Sequence, residues 1–208
     1  MSLEQAYNEW SEQYDSNNNK TRDLEAVALR ATLQEIAFKS CLEIGCGTGK
    51  NTVWLSSRAQ RITAVDLSDK MLSKAREKNS SGNVSFVQAD IRQPWKFLSS
   101  NYELVTFSLV LEHVADLGHV LGEASEALVP GGYLYIGELH PFKQYLGSKA
   151  RFEKDGITQY VEAYTHHVSD YIQAAKENGL ILEDLKEFFD PDNSVTPRIL
   201  ACLFTKVE

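Results

Sequence analysis

Three glycines at alternate positions, Gly45, Gly47 and Gly49, are the first residues in this chain whose types and spacing could do chemistry. They follow the apolar run SCLEI (Ser40–Ile44) and precede NTVWLSSRA (Asn51–Ala59), a segment with helical character. Glycine adopts backbone conformations that other residues rarely reach, and it leaves space for a ligand beside the main chain. The pattern predicts a tight loop, between a strand and a helix, that lies against a ligand.

The spacing of these glycines argues against two kinds of phosphate-binding loop. A P-loop, G-x-x-x-x-G-K-[ST], would need glycine where Ile44 stands and Ser or Thr where Asn51 stands. The dinucleotide fingerprint G-x-G-x-x-G would have its third glycine at Lys50, whereas the third glycine of this chain is Gly49. A diphosphate ligand is therefore disfavoured.

Two acids, Asp66 and Asp90, each end a predicted strand, RITAVD (Arg61–Asp66) and NVSFVQAD (Asn83–Asp90). In a parallel sheet these positions share the carboxyl edge with the glycine loop, and ligands of open α/β sheets bind at that edge. The first carboxylate can accept from both hydroxyls of a ribose, and the second from an adenine amine. Glu43 adds negative charge beside the loop, which suits an ammonium and a sulfonium. These residues predict S-adenosylmethionine as the ligand; capping of turns or helices is the alternative role of both aspartates.

The elements that must position these residues alternate between strands and helices. YELVTFSLVL (Tyr102–Leu111) is a further strand with almost no polar residue, and YLYIGEL (Tyr133–Leu139) follows the turn VPGG. Continuous apolar strands separated by helices are typical of a parallel sheet that is covered on both faces. The last two runs, ILEDLKEFF (Ile181–Phe189) and RILACLFTK (Arg198–Lys206), have no helix between them, so we expect an antiparallel hairpin at the edge of the sheet.

Two helix starts are predicted from capping residues. Thr21 precedes apolar residues at near-helical spacing and is expected to cap a helix over 21–37. Ser68 is expected to cap a helix with Met71 and Leu72 on one face.

Length and charge restrict the class of protein. A chain of 208 residues with 43% hydrophobic residues predicts one domain, 1–208. Its 21 Lys+Arg against 29 Asp+Glu give a formal charge of −8, which argues against a nucleic-acid substrate. No basic, apolar leader and no run long enough to cross a membrane is recognised, so we expect a cytoplasmic protein without membrane contact. The spacing of the three cysteines indicates neither a disulfide framework nor a metal site.

Five blocks in the order LEIGCGTGKNT, AVDLSDKML, VQADI, YELVTFSLVLEHVAD and LVPGGYLYI resemble the class I S-adenosylmethionine-dependent methyltransferases of the small, single-domain kind. The resemblance covers residues 41–138 closely and the remainder only in outline. It implies an α/β, Rossmann-like, doubly wound sheet of seven strands in the order 3-2-1-4-5-7-6, with strand 7 antiparallel. The family often has Asp where this chain has Glu103, a conservative departure at a position that supports the sheet.

The resemblance also implies the cofactor site. The glycine loop would hold the methionine part, strand ends two and three the adenosine, and the segment after strand four the sulfonium side, with the leading segment as a cover. The residues that would take these roles are Tyr14, Glu43, Gly45, Cys46, Gly47, Gly49, Asp66, Leu67, Met71, Asp90, Ile91, Ser108, Leu109 and His113. Besides the two aspartates, three of them have structural alternatives: His113 as a packed histidine, Met71 as a core residue, and Cys46 as a small residue in a crowded loop.

Two segments are predicted to form the acceptor side. Residues 1–20 would be a leading helix and lid, and residues 139–167 a polar, aromatic insertion after strand five with the composition of a loop or lid. Transfer needs no nucleophile on the protein, because positioning of the acceptor supplies much of the rate. Three histidines of the insertion, His140, His166 and His167, are the candidate general bases by their ordinary pKa, with a surface role as the alternative.

The predicted function is methyl transfer to oxygen or nitrogen of a small molecule. Two other functions stay open at this point. One is a non-catalytic S-adenosylmethionine-binding sensor or partner subunit, since an intact loop without an obvious base does not decide catalysis. The other is a nicotinamide-dependent oxidoreductase on the same sheet topology, which the glycine spacing disfavours.

Overall fold

A computed structural model describes residues 2–154 and 156–207 of the chain. The helices are α1 (Leu3–Trp10), α2 (Lys20–Leu33), α3 (Lys50–Ser56), α4 (Asp69–Lys78), α5 (Leu117–Ala127), α6 (Pro141–Tyr145) and α7 (Val168–Glu177), with a 3₁₀ turn at Leu111–His113. The strands are β1 (Ser40–Ile44), β2 (Arg61–Asp66), β3 (Val84–Gln88), β4 (Tyr102–Ser108), β5 (Leu128–Leu139), β6 (Arg151–Lys154), β7 (Ile157–Tyr160), β8 (Leu180–Asp190) and β9 (Asn193–Lys206).

Seven of these strands form one sheet in the order β3-β2-β1-β4-β5-β9-β8. The first five run parallel, and β9 is antiparallel to both β5 and β8. Because β8 and β9 are the sixth and seventh strands of this sheet in chain order, the predicted order 3-2-1-4-5-7-6 is confirmed. The predicted hairpin of the last two runs is β8–β9.

The core lies on both faces of the central strands. Leu42 and Ile44 of β1 point into a cluster that α5 and α7 cover, whereas Cys41 points into the opposite cluster under α2 and α3. All three side chains are fully buried, because successive residues of a strand face opposite sides of the sheet. The alternation decides the face of the sheet on which each side chain of β1 lies.

Of the two predicted helix caps, one is confirmed and one is wrong. The Ser68 hydroxyl accepts from Met71 N at 3.1 Å and caps α4, as predicted. The prediction for α2 is wrong by two residues: the cap is Asn19, whose side-chain oxygen accepts from the backbone N–H of Thr21 (3.0 Å) and Arg22 (3.1 Å). Asparagine reaches these N–H groups from an extended backbone, so the helix begins at Lys20 and not after Thr21.

Two further boundaries differ from expectation. Helix α2 ends at Leu33, before the predicted position 37, where the N–H of Ile36 closes a turn on the Leu33 carbonyl at 3.1 Å. Strand β5 begins at Leu128 and includes the VPGG segment, where the sequence predicts a turn before the strand. The pairing of β4 with β5 is irregular there, since its register shifts between Tyr102 and Leu104.

The leading segment contains a helix, as predicted, and the insertion contains more regular structure than the predicted loop or lid. The leading segment carries α1, which contacts α4. The insertion carries the short helix α6 and a separate two-stranded sheet of β6 and β7. Of the helices in residues 2–154 and 156–207, none is long and apolar enough to cross a membrane.

Candidate active site

The glycine loop joins β1 to α3 at the carboxyl edge of the sheet. Gly45, Gly47 and Gly49 all have positive φ, at 71°, 53° and 81°, which L-residues with side chains rarely adopt. A Cβ on Gly45 would meet Val110 Cβ at 2.7 Å, so close packing excludes a side chain there. A Cβ on Gly47 would meet no described protein atom within 4 Å. The space beside Gly47 is therefore open to a ligand, which is the cradle that the sequence predicts.

Asp66, at the end of β2, holds this loop in place. Its Oδ2 accepts from the N–H of Gly47 at 2.8 Å, and its Oδ1 accepts from the N–H of Ser68 at 2.8 Å. Burial raises the pKa of Asp66 to about 6, against the lowering effect of these two hydrogen bonds. The side chain also faces a cavity, so the loop anchor and the predicted ligand contact are the same carboxylate.

Asp90 is held by a neighbour that the sequence analysis did not single out. The guanidinium of Arg92 donates two hydrogen bonds to the Asp90 carboxylate, from Nε to Oδ1 and from Nη2 to Oδ2, both at 2.8 Å. This ion pair lowers the pKa of Asp90. The N–H of Arg92 adds a third bond at 3.0 Å. A hydrogen bond from a ligand to Asp90 must therefore use a lone pair that Arg92 leaves available.

Two cavities meet at the glycine loop. The strand-end cavity lies beside Asp66 and Asp90, and the loop cavity lies on the other side of the loop above α3. The strand-end cavity is lined by ten predicted residues, Tyr14, Gly45, Gly47, Asp66, Leu67, Asp90, Ile91, Ser108, Leu109 and His113. The loop cavity adds the predicted residues Glu43, Cys46 and Gly49.

Met71 is the predicted cofactor residue that lines neither cavity. It is fully buried and packs with Ala6, Trp10 and Val161, because the leading helix α1 lies over the first turn of α4. The structure therefore places Met71 in the core, which is the alternative that its sequence context left open.

Buried polar groups form the floor of the loop cavity. The carboxyl of Glu43 accepts from Thr52 Oγ1 at 2.5 Å, and burial raises its pKa to about 8. Glu25, from α2, accepts from Asn51 Nδ2 at 2.9 Å and from the Tyr135 hydroxyl at 3.2 Å, and burial raises its pKa to about 7. The Oδ1 of Asn51 is buried without a hydrogen-bond partner among the described residues. These acceptors fit a ligand with a positively charged donor, such as an ammonium.

A strained residue, Leu109, separates the cavities. In residues 2–154 and 156–207 it is the one residue other than glycine with a positive φ, at 55°. Glu138 of β5 holds the segment that follows, since its Oε1 accepts from the N–H of Val110 (2.9 Å) and Leu111 (2.8 Å). The N–H of Leu109 itself donates to the Gly137 carbonyl at 2.8 Å. The surrounding hydrogen bonds thus keep a backbone conformation that would otherwise be unfavourable.

His113 forms a hydrogen-bonded pair with Tyr7 of the leading helix. Its Nδ1 lies 2.6 Å from the carbonyl oxygen of Glu162, which can only accept, so Nδ1 carries the proton. Its Nε2 then accepts from the Tyr7 hydroxyl at 2.6 Å. Burial lowers the pKa of His113, so the ring is neutral at pH 7. Both side chains line the strand-end cavity.

A third, outer cavity of about 430 Å³ lies between the leading segment and the insertion. Tyr14 and Leu109 line all three cavities, so the three meet at these residues. Glu112 lines the outer cavity and is 8% exposed, and its Oε2 has no partner among the described residues. Burial raises the pKa of Glu112 to about 7. Glu112 is thus a buried carboxyl in the lining of the outer cavity, with one oxygen that accepts no hydrogen bond from the described residues.

The three histidines predicted as bases line none of these three cavities. Each already makes a contact. His140 Nε2 lies 2.9 Å from Glu187 Oε1, and its Nδ1 accepts from the N–H of Phe142 at the start of α6. His166 is buried with Nε2 2.7 Å from the Val114 carbonyl. His167 precedes α7, and its Nδ1 lies 2.6 Å from the Tyr145 hydroxyl.

Sequence reasoning did not assign Glu25, Arg92 or Glu112 to the site. Glu112 sits directly before His113 in VLEHV, so adjacency could have indicated it. Arg92 directly follows Ile91, so adjacency could have indicated it as well, whereas Glu25 carries no such signal because its role depends on how α2 packs.

Comparison with known proteins gives a family for the central part of the chain. Residues 42–136 match a family described as "Methyltransferase domain". A ubiquinone biosynthesis O-methyltransferase of Hydrogenovibrio crunogenus is 28% identical over 160 residues, which are 73% of this chain and 66%, just under two thirds, of that protein. The protein of the same name from Coxiella burnetii is 28% identical over 195 residues, which are 85% of this chain and 82% of that one.

Solved structures share the fold across the whole chain. The N-methyltransferase NodS of Bradyrhizobium japonicum, in complex with S-adenosylhomocysteine, has a TM-score of 0.77 at 19% identity and 100% coverage of both chains. A complex of DhpI with S-adenosylhomocysteine has a TM-score of 0.78 at 22% identity, covering 99% of this chain and 95% of that one. At these identities the likeness shows the fold.

Proposed function

We propose that this chain is a class I S-adenosylmethionine-dependent methyltransferase that transfers a methyl group to an oxygen or nitrogen atom of a small molecule. One observation carries the proposal: the open space beside Gly47 lies between a cavity with the Asp66 carboxylate and a cavity with buried, ionisable acceptors. These acceptors match the hydroxyls and the ammonium at the two ends of S-adenosylmethionine.

The residues present fit the cofactor at both ends. Asp66 would accept from the ribose hydroxyls, and Asp90 with Ile91 would hold the adenine, as the family resemblance implies. The free Oδ1 of Asn51 and the carboxyls of Glu25 and Glu43 would hold the ammonium of the methionine part. Each of these carboxyls has a raised pKa, so a cationic ligand would favour its ionised form.

When bound, S-adenosylmethionine supplies an electrophilic methyl group on a sulfonium that leaves as a neutral thioether. The residues of the chain then have to hold the acceptor in line and keep water out. Leu109 and Tyr14, which line all three cavities, are placed to do this at the point where cofactor and acceptor would meet.

The acceptor is proposed to enter through the outer cavity. Oxygen and nitrogen as acceptor atoms are supported by the names of the relatives, an O-methyltransferase by sequence and an N-methyltransferase by structure. The formal charge of −8 disfavours a nucleic acid, because a phosphate backbone would be repelled.

Removal of a proton from the acceptor would fall to Glu112. Its Oε2 is free among the described residues, it lines the outer cavity, and its pKa of about 7 suits a base at neutral pH. The roles of His140, His166 and His167 as bases stay predictions, and their existing contacts favour a supporting role for each. The Tyr7–His113 pair would form the wall of the strand-end cavity.

Calorimetric titration tests the proposal at its first step. We expect S-adenosylmethionine and S-adenosylhomocysteine to bind in the micromolar range, and release of S-adenosylhomocysteine with an acceptor panel to report turnover. Absence of heat and of any thermal shift with both ligands would contradict the proposal. Stabilisation by NAD(H) instead would indicate an oxidoreductase, and tight binding without turnover across a broad panel would indicate a sensor or partner subunit.

A further inference from the structure

The side chains that line the outer cavity have a net charge opposite in sign to that of the whole protein. Although Asp and Glu outnumber Lys and Arg by 29 to 21 in the chain, the charged side chains that line this cavity are five cations and one acid. The cations are Lys20, Arg22, Lys149, Arg151 and Arg198, and the acid is Glu112. The cations come from the leading side of the chain, from the insertion and from β9, so the tertiary structure gathers them.

Two of the five cations are already neutralised by carboxylates outside the lining. Arg198 binds Asp190 through Nε (2.5 Å) and Nη2 (2.7 Å), and Lys20 lies 3.3 Å from Asp192. Their charges are therefore accounted for by the protein itself. They shape the cavity but have little left to attract a ligand.

The other three cations have no carboxylate partner among the described residues. Arg22 donates to the carbonyls of Tyr14 and Asn17 and lies over the Tyr14 ring at 3.9 Å, and its Nε is buried without a partner among the described residues. Within that same part of the chain, Lys149 and Arg151 make no side-chain hydrogen bond or ion pair. Among the described residues, no carboxylate is bonded to any of these three cations, which all line the outer cavity.

We propose that the outer cavity binds an anionic group of the methyl acceptor, a carboxylate or a phosphate, through Lys149, Arg151 and Arg22. The inference rests on the proposed function, because it assigns the substrate class of the same site. Clustered like charges repel one another, and an anion between them removes that repulsion while forming charge-assisted hydrogen bonds. The fourteen-residue helix α2 also begins at this cavity, and the positive end of its dipole adds to the attraction.

The rest of the cavity indicates where the remainder of the acceptor would lie. The aromatic rings of Tyr7, Trp10 and Tyr14 line it, together with the aliphatic side chains of Leu109 and Leu139. An apolar body held against these side chains, with its anion at Lys149 and Arg151, would direct its other end toward Leu109. Because Leu109 is where the three cavities meet, the methyl-accepting atom would be at that end. A cationic acceptor would be disfavoured by the same charges.

Calorimetric titrations of the full chain, with and without S-adenosylhomocysteine, test the inference with three probes. Benzoate presents a carboxylate on an apolar body, inorganic phosphate presents the other anion, and benzamide is the uncharged match of benzoate. We expect at least one anion to bind about tenfold more tightly than benzamide. The relative affinities of benzoate and phosphate then distinguish the two anion chemistries. Equal affinity for benzoate and benzamide with no phosphate binding would overturn the inference.

Variants locate the binding. Lys149→Gln with Arg151→Gln is expected to weaken anion binding about tenfold and to leave the S-adenosylhomocysteine affinity unchanged. The control, Lys39→Gln with Lys176→Gln, removes the same charge from the residue before β1 and from the last turn of α7, outside the outer cavity, and should change neither.

The two proposals fail in different ways. Anion binding that is unchanged in the Lys149 and Arg151 variant would place the anion elsewhere and overturn the inference. Absence of S-adenosylhomocysteine binding to the wild-type chain would contradict the proposed function. Binding of S-adenosylhomocysteine without any anion binding would overturn the inference alone.

Discussion

The loop cavity and the outer cavity share Tyr14 and Leu109, yet the floor of the loop cavity has buried carboxyls, whereas the outer cavity has more cations than acids. Glu25 and Glu43 in the floor of the loop cavity are buried and hydrogen-bonded. Lys149 and Arg151 in the outer cavity are exposed.

The difference shows how one fold can present two neighbouring cavities of different chemistry. Burial raises the pKa of an acid, so the floor carboxyls can stay protonated until a cation arrives. Exposed cations keep their charge at little cost, because water solvates them until an anion binds. We therefore expect ligand binding on the buried side to depend on pH and ligand binding on the outer side to depend on salt.

The largest expected effect comes from filling the space beside Gly47. Gly47→Val should weaken S-adenosylhomocysteine binding by at least about 100-fold, because the side chain occupies ligand space and φ is positive. Calorimetry measures the loss. Gly131→Val is the matched control, since Gly131 has φ +72° and no described atom within 4 Å of an added Cβ, but lies in the VPGG segment. Equal losses in both variants would mean that strain, and not the filled space, is responsible.

The acceptor side is tested by Glu112→Gln. Because glutamine cannot take a proton, we expect turnover of a genuine acceptor to fall about 100-fold with the S-adenosylhomocysteine affinity unchanged. In the wild type, turnover should rise with pH through about 7, since the base must be ionised. The variant in which His140, His166 and His167 are all alanine gives the comparison. A larger loss in that variant than in Glu112→Gln would assign the base to the insertion histidines, as predicted from sequence.

A smaller effect is expected at Asp66. Asp66→Ala leaves the N–H groups of Gly47 and Ser68 without their acceptor and removes the proposed ribose contact. We expect cofactor binding to weaken by about 1–3 kcal/mol. Asp90→Ala should cost less, because the Asp90 side chain is 29% exposed and already paired with Arg92. The opposite ranking in calorimetric titrations would show that Asp66 serves only the loop.

The smallest expected effect is on stability. Burial raises the pKa of Glu43 and Glu138 to about 8, and of Glu25 and Glu112 to about 7, from an unfolded value near 4.5. The folded chain therefore binds more protons than the unfolded chain in this range, and the free energy of unfolding falls as pH rises. The melting temperature of the cofactor-free protein should drop between pH 6.5 and pH 8.5.

Glu43→Gln serves as the check on that slope. The amide keeps a hydrogen-bonding side chain at the same place but does not titrate, so the drop in melting temperature should become shallower. Glu35 is an exposed residue after α2 and lies outside the three cavities, so Glu35→Gln should leave the slope as it is. A melting temperature that rises across this pH range in the wild type would contradict the assignment of buried, protonated carboxyls.

The sequence alone determined the frame of the molecule. Apolar runs separated by helical patterns predicted the parallel strands, and the family resemblance implied their order. The glycine spacing predicted the loop, and the acids at two strand ends predicted the edge at which a ligand binds. These features depend on residues close together in the chain, where backbone preference and strand-end position follow from a few neighbouring side chains.

Only the tertiary structure decided the chemistry within that frame. Glu25 reaches the floor of the loop cavity because α2 packs against β5, and Met71 leaves the ligand side because α1 covers it. Lys149 and Arg151 join Arg22 through the position of the insertion. The physical reason is that burial, pKa and the compensation of charge depend on distances in space between distant segments, which a local pattern of residue types does not contain.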